Sequence, residues 1–346
     1  MELASRIRSF EMLGDWLRRY RENTVDRELD SLTKAAVRAS VENQWFTPAY
    51  VAMALNNLGS ALQPSNLSRW LAPYRERLLN PPAQKTVGVV MAGNIPAVGF
   101  HDFLCVLISG NRLTGRLSSS DAVLIPAMAG ILTELDPGWR DMAHFTTGRL
   151  EGFDAIIATG SDNTSRYFDF YFGKYPHIIR HNRNSVAILH GTEDETTLGR
   201  LAGDIMHYFG LGCRNVSKIY VPQGYDFSGL TGALSQFSHF TDHHKYYNNY
   251  EYSRSIFMVG QVPFTDAGCL LLREDPSLAS RVAVLHYEYY DVPGQLIARL
   301  GQDKDSIQCI VSAFPVAIKS VLPGEAQNPA VWEYADELDT LDFLLS

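Results

Sequence analysis

The sequence predicts an α/β protein with a largely parallel sheet, and three observations carry that prediction. Short runs of β-branched and apolar residues end at glycine or proline: KTVGVVMAG, DAIIATG, SVAILHG and SKIYVP. Helix-length segments separate these runs, and such strand–helix alternation is the pattern of parallel sheets. A length of 346 residues also exceeds what one small core organises, so two domains are expected.

Residues 1 to about 80 precede the alternating pattern and read as helical. LTKAAVRASVENQ and YVAMALNNLGSAL place apolar residues at helical spacing, and NPPAQ breaks the pattern. KTVGVVMAG then opens the strand regime. Segment 192–209 begins with Thr192 and Glu195 in capping-box spacing. Leu198, Leu201, Ile205 and Phe209 follow at intervals suiting one helix face. Gly210 and Gly212 are expected to end that helix and deliver Cys213 into a turn before SKIYVP.

Composition narrows the function classes. The net charge of −8 and a pI near 5.7 speak against a nucleic-acid partner, because phosphate binding needs a basic surface. The opening MELASRIRSFEMLGDWLRRY mixes charges throughout and lacks the apolar run of a signal peptide. No stretch of transmembrane length lacks polar residues, so no membrane span is expected. Cys105, Cys213, Cys269 and Cys309 are widely spread without a CxxC pair, which indicates neither a zinc site nor a disulfide framework. The expectation is a reduced, cytoplasmic protein without a metal.

Three stretches carry candidate chemistry. In MAGNIPAVGF, Asn94 stands just past a strand's carboxyl end, where α/β proteins build sites and a side-chain amide can donate to an oxyanion; a plain turn asparagine is the alternative. In ISGNRLTGRLSSSD, Arg116 is followed by Ser118, Ser119 and Ser120. Arginine forks onto phosphate and hydroxyls complete the shell, which suits a nucleotide, with a solvated loop as the other reading. In ATGSDNTSRYFDFYFG, Gly160-Ser161 lies between a strand and a helix, where backbone amides can face a phosphate.

Taken in order, these stretches resemble the aldehyde dehydrogenase superfamily, and within it the acyl-CoA reductases of the bacterial-bioluminescence (LuxC) type. The correspondence runs through Asn94 with Pro96, Gly110-Asn111, Arg116 with Ser118, Gly160-Ser161 and Cys213, over roughly residues 85–222. The resemblance implies a Rossmann-type nucleotide-binding domain plus an α/β catalytic domain that carries the cysteine. The domains expected are residues 1–185, 186–320 and a C-terminal return segment 321–346. Cys213 is then the nucleophile, Asn94 an oxyanion donor, and Arg116, Ser118, Ser119, Gly160 and Ser161 the nucleotide's neighbours. Glu288 in LHYEYYDVPGQ is one candidate for the glutamate that orients the nicotinamide ribose.

Two departures from the family pattern shape the expectation. The family's lysine is Arg116 here, and the acidic residue that often follows is Ser119, which favours NADPH over NADH; the alternative reading has Asp121, close by in sequence, on the ribose hydroxyls, which reverses the preference. The glutamate base of hydrolytic members falls at about Arg180 or His181 in IRHNRNSV, with no carboxylate. Without that base water is poorly activated, as suits an enzyme whose substrate is an acyl-CoA thioester. The remaining cysteines sit in apolar runs that raise a thiol's pKa, whereas the small residues around Cys213 leave it approachable. A cysteine thioesterase or acyltransferase, and a non-catalytic protein retaining the fold, are the alternatives. A homo-oligomer is possible on this reading.

Overall fold

A computed structural model describes residues 1–22, 26–160, 168 and 170–346. The chain divides into two compact units, one of residues 1–182 with 330–346 and one of residues 183–329.

In unit 1 the amino-terminal region is helical: α1 (Leu3–Arg19), α2 (Asp30–Glu42), α3 (Pro48–Ala61), α4 (Pro64–Leu71) and α5 (Arg75–Leu79). Phe10, Leu13 and Leu17 lie on one face of α1 and are fully buried, as their helical spacing requires. Helices α1 and α3 meet at Gly14 and Gly59, where backbones come so close that a Cβ on Gly59 would lie 2.8 Å from the Gly14 carbonyl oxygen. After them run β1 (Thr86–Val90), α6 (Phe100–Ile108), β2 (Arg112–Arg116), α7 (Leu124–Leu135), β3 (Ala143–Thr146), β4 (Ala155–Thr159) and β5 (His177–Arg180). The strands form a parallel sheet in the order β3-β2-β1-β4-β5. The order reverses between β1 and β4, so this half-Rossmann sheet has its topological switch at the carboxyl ends of those two strands.

Unit 2 contains β6 (Asn184–Ile188), α8 (Glu195–Met206), β7 (Val216–Pro222), α9 (Ser228–Leu234) and α10 (His244–Val259). Then come β8 (Thr265–Asp266), β9 (Leu271–Glu274), β10 (Val284–Tyr290), α11 (Pro293–Gln302) and β11 (Ile307–Ser312). Its six-stranded sheet runs β11-β6-β7-β10-β9-β8, parallel except for the edge pair β8–β9. Helix α8 starts later than the sequence suggests. Asp194 is its N-cap and accepts the Thr197 N–H at 2.7 Å, while Thr192 lies in the preceding turn with its N–H on His190 Nδ1.

The chain then returns to unit 1, ending in α12 (Thr340–Leu344). Trp70 Nε1 donates to the Tyr334 hydroxyl at 2.8 Å, Asn111 Nδ2 to the Leu344 carbonyl at 3.3 Å, and Arg180 to the Thr340 hydroxyl at 2.9 Å. Leu341 and Leu344 enter the same apolar core as Phe10 and Phe103. Among the described residues no helix is long and apolar enough to cross a membrane.

One face of the unit 2 sheet carries ionic groups on its strands β7 and β10. Lys218 on central strand β7 is 1% exposed, and its Nζ donates to Glu288 on β10 at 2.6 Å and to the Pro276 carbonyl at 2.6 Å. Arg299 on α11 holds the other Glu288 oxygen at 2.5 Å. Burial by itself would raise the Glu288 carboxyl, and the Lys218 and Arg299 hydrogen bonds outweigh it and leave the group below its ordinary value. Its contribution to stability is therefore full at neutral pH and is lost as pH falls through and below the carboxylate range. Glu288→Gln is expected to destabilise unit 2 by about 3 kcal/mol, because it leaves the Lys218 ammonium buried without its anion. The chain's five tryptophans, at positions 16, 45, 70, 139 and 332, all lie in unit 1. Far-UV circular dichroism should thus register the loss more strongly than tryptophan fluorescence, and adding Lys218→Met should restore most of it.

Candidate functional site

The residues singled out in unit 1 gather at the carboxyl ends of its strands. Asn94 follows β1 and is exposed, and Gly160 follows β4, so the two flank the reversal of strand order. Arg116 ends β2 in register with Val90 of β1 and Thr146 of β3. Its side chain is exposed and takes no side-chain partner among the described residues. Ser119 is exposed beside it, whereas Ser118 is half-buried and its hydroxyl accepts the Ser120 N–H at 3.2 Å. Ser118 also presses on Gly93, where a Cβ would come within 2.5 Å of its Oγ. Only glycine fits there, so the turn that presents Asn94 can lie flat on the loop after β2. Ser161 lies outside the described residues.

Asp121 builds this edge without facing it. Its carboxylate is buried and accepts the Ala97 N–H at 2.8 Å and the Leu124 N–H at 3.3 Å. Ala97, in the turn between Asn94 and α6, takes a left-handed φ of 56°, a conformation that needs such an anchor. Desolvation raises the Asp121 carboxyl, and the backbone N–H bonds offset part of that. A role for Asp121 on ribose hydroxyls is not what this geometry provides, since both oxygens point into the backbone.

In unit 2, Cys213 lies between α8 and β7 and is exposed, while Cys105, Cys269 and Cys309 are buried. Burial pushes the Cys105 thiol up and that of Cys269 up to about 11. The approach to Cys213 differs from a glycine-terminated helix. Helix α8 ends at Met206, and Tyr208, Phe209 and Gly210 then take left-handed φ values of 53°, 58° and 73°. Left-handed backbone costs about 1–2 kcal/mol at each residue bearing a side chain. Packing offsets that cost: the Phe209 ring lies 4.6 Å from the rings of both Phe240 and His243 and 5.7 Å from that of Tyr246. His243 also caps α10, its ring accepting the Tyr246 N–H at 3.3 Å, which gives the His/Tyr-rich stretch 241–255 a structural role next to the cysteine turn.

The chain beyond Cys213 is tied down on both sides. The Ser185 hydroxyl of β6 donates to the Cys213 carbonyl at 3.0 Å. Arg214 donates from Nε to the Ala326 carbonyl and from its terminal nitrogen to Cys309 Sγ at 3.6 Å. Asp204 on α8 accepts the Gly324 and Ala326 N–H groups at 2.6 and 3.1 Å, and burial pushes its carboxyl up to about 6. Asn215 is buried under the turn with its amide directed at backbone that precedes the cysteine, the Gly212 N–H and the carbonyls at the end of α8. Nothing in the sequence distinguished Asn215, Ser185 or Asp204, and nothing marked Asp121 as a backbone anchor, because each acts on backbone groups that only the fold brings near.

Two expected positions are occupied otherwise. Both Glu288 oxygens are engaged by Lys218 and Arg299 inside unit 2, so a ribose contact would require displacing a cation. Arg180 is buried in unit 1, donating to Asp102 at 2.6 Å, and His181 is exposed. Asp121→Ala is expected to cost unit 1 about 1–3 kcal/mol, since two buried N–H groups lose their acceptor. Urea unfolding followed by tryptophan fluorescence reads this directly. A curve identical to that of the unaltered protein would mean that the carboxylate does not hold the Asn94 turn.

No family model matches the chain, and no curated protein matches its sequence. Solved structures do match its fold. An oxidoreductase from Marinobacter aquaeolei superposes with a TM-score of 0.64 at 9% identity, covering 92% of this chain and 74% of its own. An aldehyde dehydrogenase of Pseudomonas syringae, a cysteine-to-alanine variant complexed with NAD+ and octanal, gives 0.61 at 9% identity, covering 90% and 72%. The Mycobacterium tuberculosis aldehyde dehydrogenase complexed with NAD+ gives 0.59 at 14% identity, covering 90% and 71%. The chain has the aldehyde dehydrogenase fold.

Proposed function

We propose that the protein is a nicotinamide-dependent oxidoreductase that reduces an acyl-CoA thioester to the aldehyde through an acyl-cysteine. The observation that carries this reading is Cys213, the exposed one of four cysteines, held on a braced turn within the aldehyde dehydrogenase fold. The neighbours that bind NAD+, one of them with octanal, support a redox role on an acyl or aldehyde carbon.

The residues of unit 1 fit a nicotinamide nucleotide. The carboxyl edge at the β1/β4 reversal is where such sheets take nucleotides, and Arg116 offers it a cation with no side-chain partner among the described residues. Arg116 and Ser119 would hold the adenosine ribose and its 2′-phosphate, with Gly160 backing the strand end. A bound nicotinamide supplies or accepts a hydride.

The chain's own residues do the rest. Cys213 Sγ bonds to the thioester carbonyl carbon as the thioester C–S bond breaks, and the coenzyme leaves as its thiol. The Cys213 N–H stabilises the oxyanion in this reading. Reduction of the acyl group and collapse of the thiohemiacetal release aldehyde and return the Cys213 thiolate. Arg180, locked on Asp102, leaves the place of a hydrolytic carboxylate without a base, which favours transfer to coenzyme A over attack by water.

Cys213→Ala is expected to abolish thioester-dependent nucleotide oxidation and to leave nucleotide binding intact. Mass spectrometry after incubation with acyl-CoA alone should find the acyl adduct on Cys213; an adduct on another cysteine, or full activity in the variant, overturns the assignment. Release of fatty acid without nucleotide at the turnover rate would identify a thioesterase instead. Arg116→Ala is expected to raise the Kd for NADPH about tenfold, the loss of one charge-assisted hydrogen bond. NADH should be unaffected in the same fluorescence titration, and equal weakening of both would show that Arg116 does not read the 2′-phosphate.

A further inference from the structure

We infer that Asn215 is a positioning residue for the Cys213 nucleophile, an inference that rests on the function proposed above. Asn215 is 3% exposed. Its Oδ1 accepts the Gly212 N–H at 2.8 Å, and its own backbone N–H donates to the Gly212 carbonyl at 3.0 Å. Residues 212–215 are thereby closed by two bonds into one turn with Cys213 and Arg214 at its centre. The other end of the same amide faces back along the chain. Nδ2 donates to the carbonyls of Asp204 at 3.0 Å, His207 at 2.9 Å and Ile205 at 3.3 Å. One side chain thus joins the carboxyl end of α8, across the left-handed passage at Tyr208–Gly210, to the turn that carries the thiol.

This arrangement demands an amide. It needs an acceptor on one atom and two N–H donors on the next, in one plane. An aspartate would set a carboxylate against three carbonyl oxygens, and a serine hydroxyl is too short to span both sides. The remaining bonds around the turn fix its flanks: Ser185 holds the Cys213 carbonyl and Arg214 is anchored on Ala326. Asn215 fixes Gly212, the residue that precedes the Cys213 N–H. The Asn215 backbone N–H holds the Gly212–Cys213 peptide plane while its side-chain amide ties the Gly212 N–H to the end of α8. The side chain therefore sets where the turn that carries the Cys213 N–H and thiol stands, which matters for attack and oxyanion stabilisation more than for substrate binding.

The test compares Asn215→Ala, Asn215→Ser and, as a control for a buried hydrogen bond lost elsewhere in unit 2, Tyr290→Phe, which removes the hydroxyl that donates to the Leu189 carbonyl at 2.7 Å. Two readouts are taken on the full chain. One is kcat and KM for acyl-CoA reduction; the other is the pH dependence of Cys213 alkylation by iodoacetamide, followed by peptide mass spectrometry. Asn215→Ala should lower kcat by about tenfold to a hundredfold with KM within about twofold, as small misplacements of reacting groups do. It should also shift the pH midpoint of Cys213 alkylation, whereas Tyr290→Phe should change neither readout. Asn215→Ser should fall between, and it serves if the alanine variant does not fold. Unaltered kcat and alkylation in either folded variant, beside an inactive Cys213→Ala, overturns the inference alone. Full activity of Cys213→Ala removes the proposed function as well. If neither Asn215 variant folds, the residue is a folding determinant and the positioning role is rejected.

Discussion

A chain that leaves a helix through two left-handed aromatic residues has to be held there by its surroundings, and unit 2 is organised to do so. The passage at Tyr208 and Phe209 is unfavourable on its own. It persists because Phe209 fills a ring cluster formed by Phe240, His243 and Tyr246, and because the carbonyls left open at the end of α8 meet the Asn215 amide. The consequence is directional. The backbone reverses tightly enough to place Cys213 ahead of β7 rather than within the helix, and the apolar side chains before it are consumed by packing. What emerges at the surface is the thiol.

The edge of unit 1 follows the same physical logic with different parts. There a buried carboxylate, Asp121, collects backbone N–H groups from a turn with a left-handed residue, Ala97. Placing a carboxylate in a dry environment is costly, and desolvation accordingly raises the Asp121 carboxyl. In each unit a polar side chain is buried against the backbone of a turn so that its neighbour stays exposed. Stability is exchanged for a fixed presentation, the arrangement expected where geometry matters more than packing.

Much of this was legible in the sequence. The runs at 85–93, 154–160, 185–191 and 217–222 are strands β1, β4, β6 and β7 because buried parallel strands read as unbroken β-branched stretches. Strand β10, VLHYEYY, is less legible, since its His286–Glu288 face meets Lys218 and Arg273 instead of apolar residues. The setting of Cys213 was readable from the small residues around it, and the exposure of Arg116 from its place at a strand end. The braces were not. Asn215 and Asp121 act on carbonyl and N–H groups whose directions are fixed by tertiary structure, and no spacing rule encodes those. The helix start at Asp194 shows the same limit on a small scale, as Thr192 has the right chemistry but its N–H and hydroxyl are taken by His190.

The return of residues 330–346 to unit 1 bears on how the protein is made. Unit 2 is continuous in the chain, whereas unit 1 is interrupted by it. During synthesis from the amino terminus the inserted unit has its full sequence before the outer one does. Until residues 330–346 emerge, Trp70 lacks the Tyr334 hydroxyl, Asn111 lacks the Leu344 carbonyl, and the apolar positions that receive Leu341 and Leu344 face water. The nascent chain therefore exposes those positions until residues 330–346 are made, and the segment that seals unit 1 is made after the whole of unit 2.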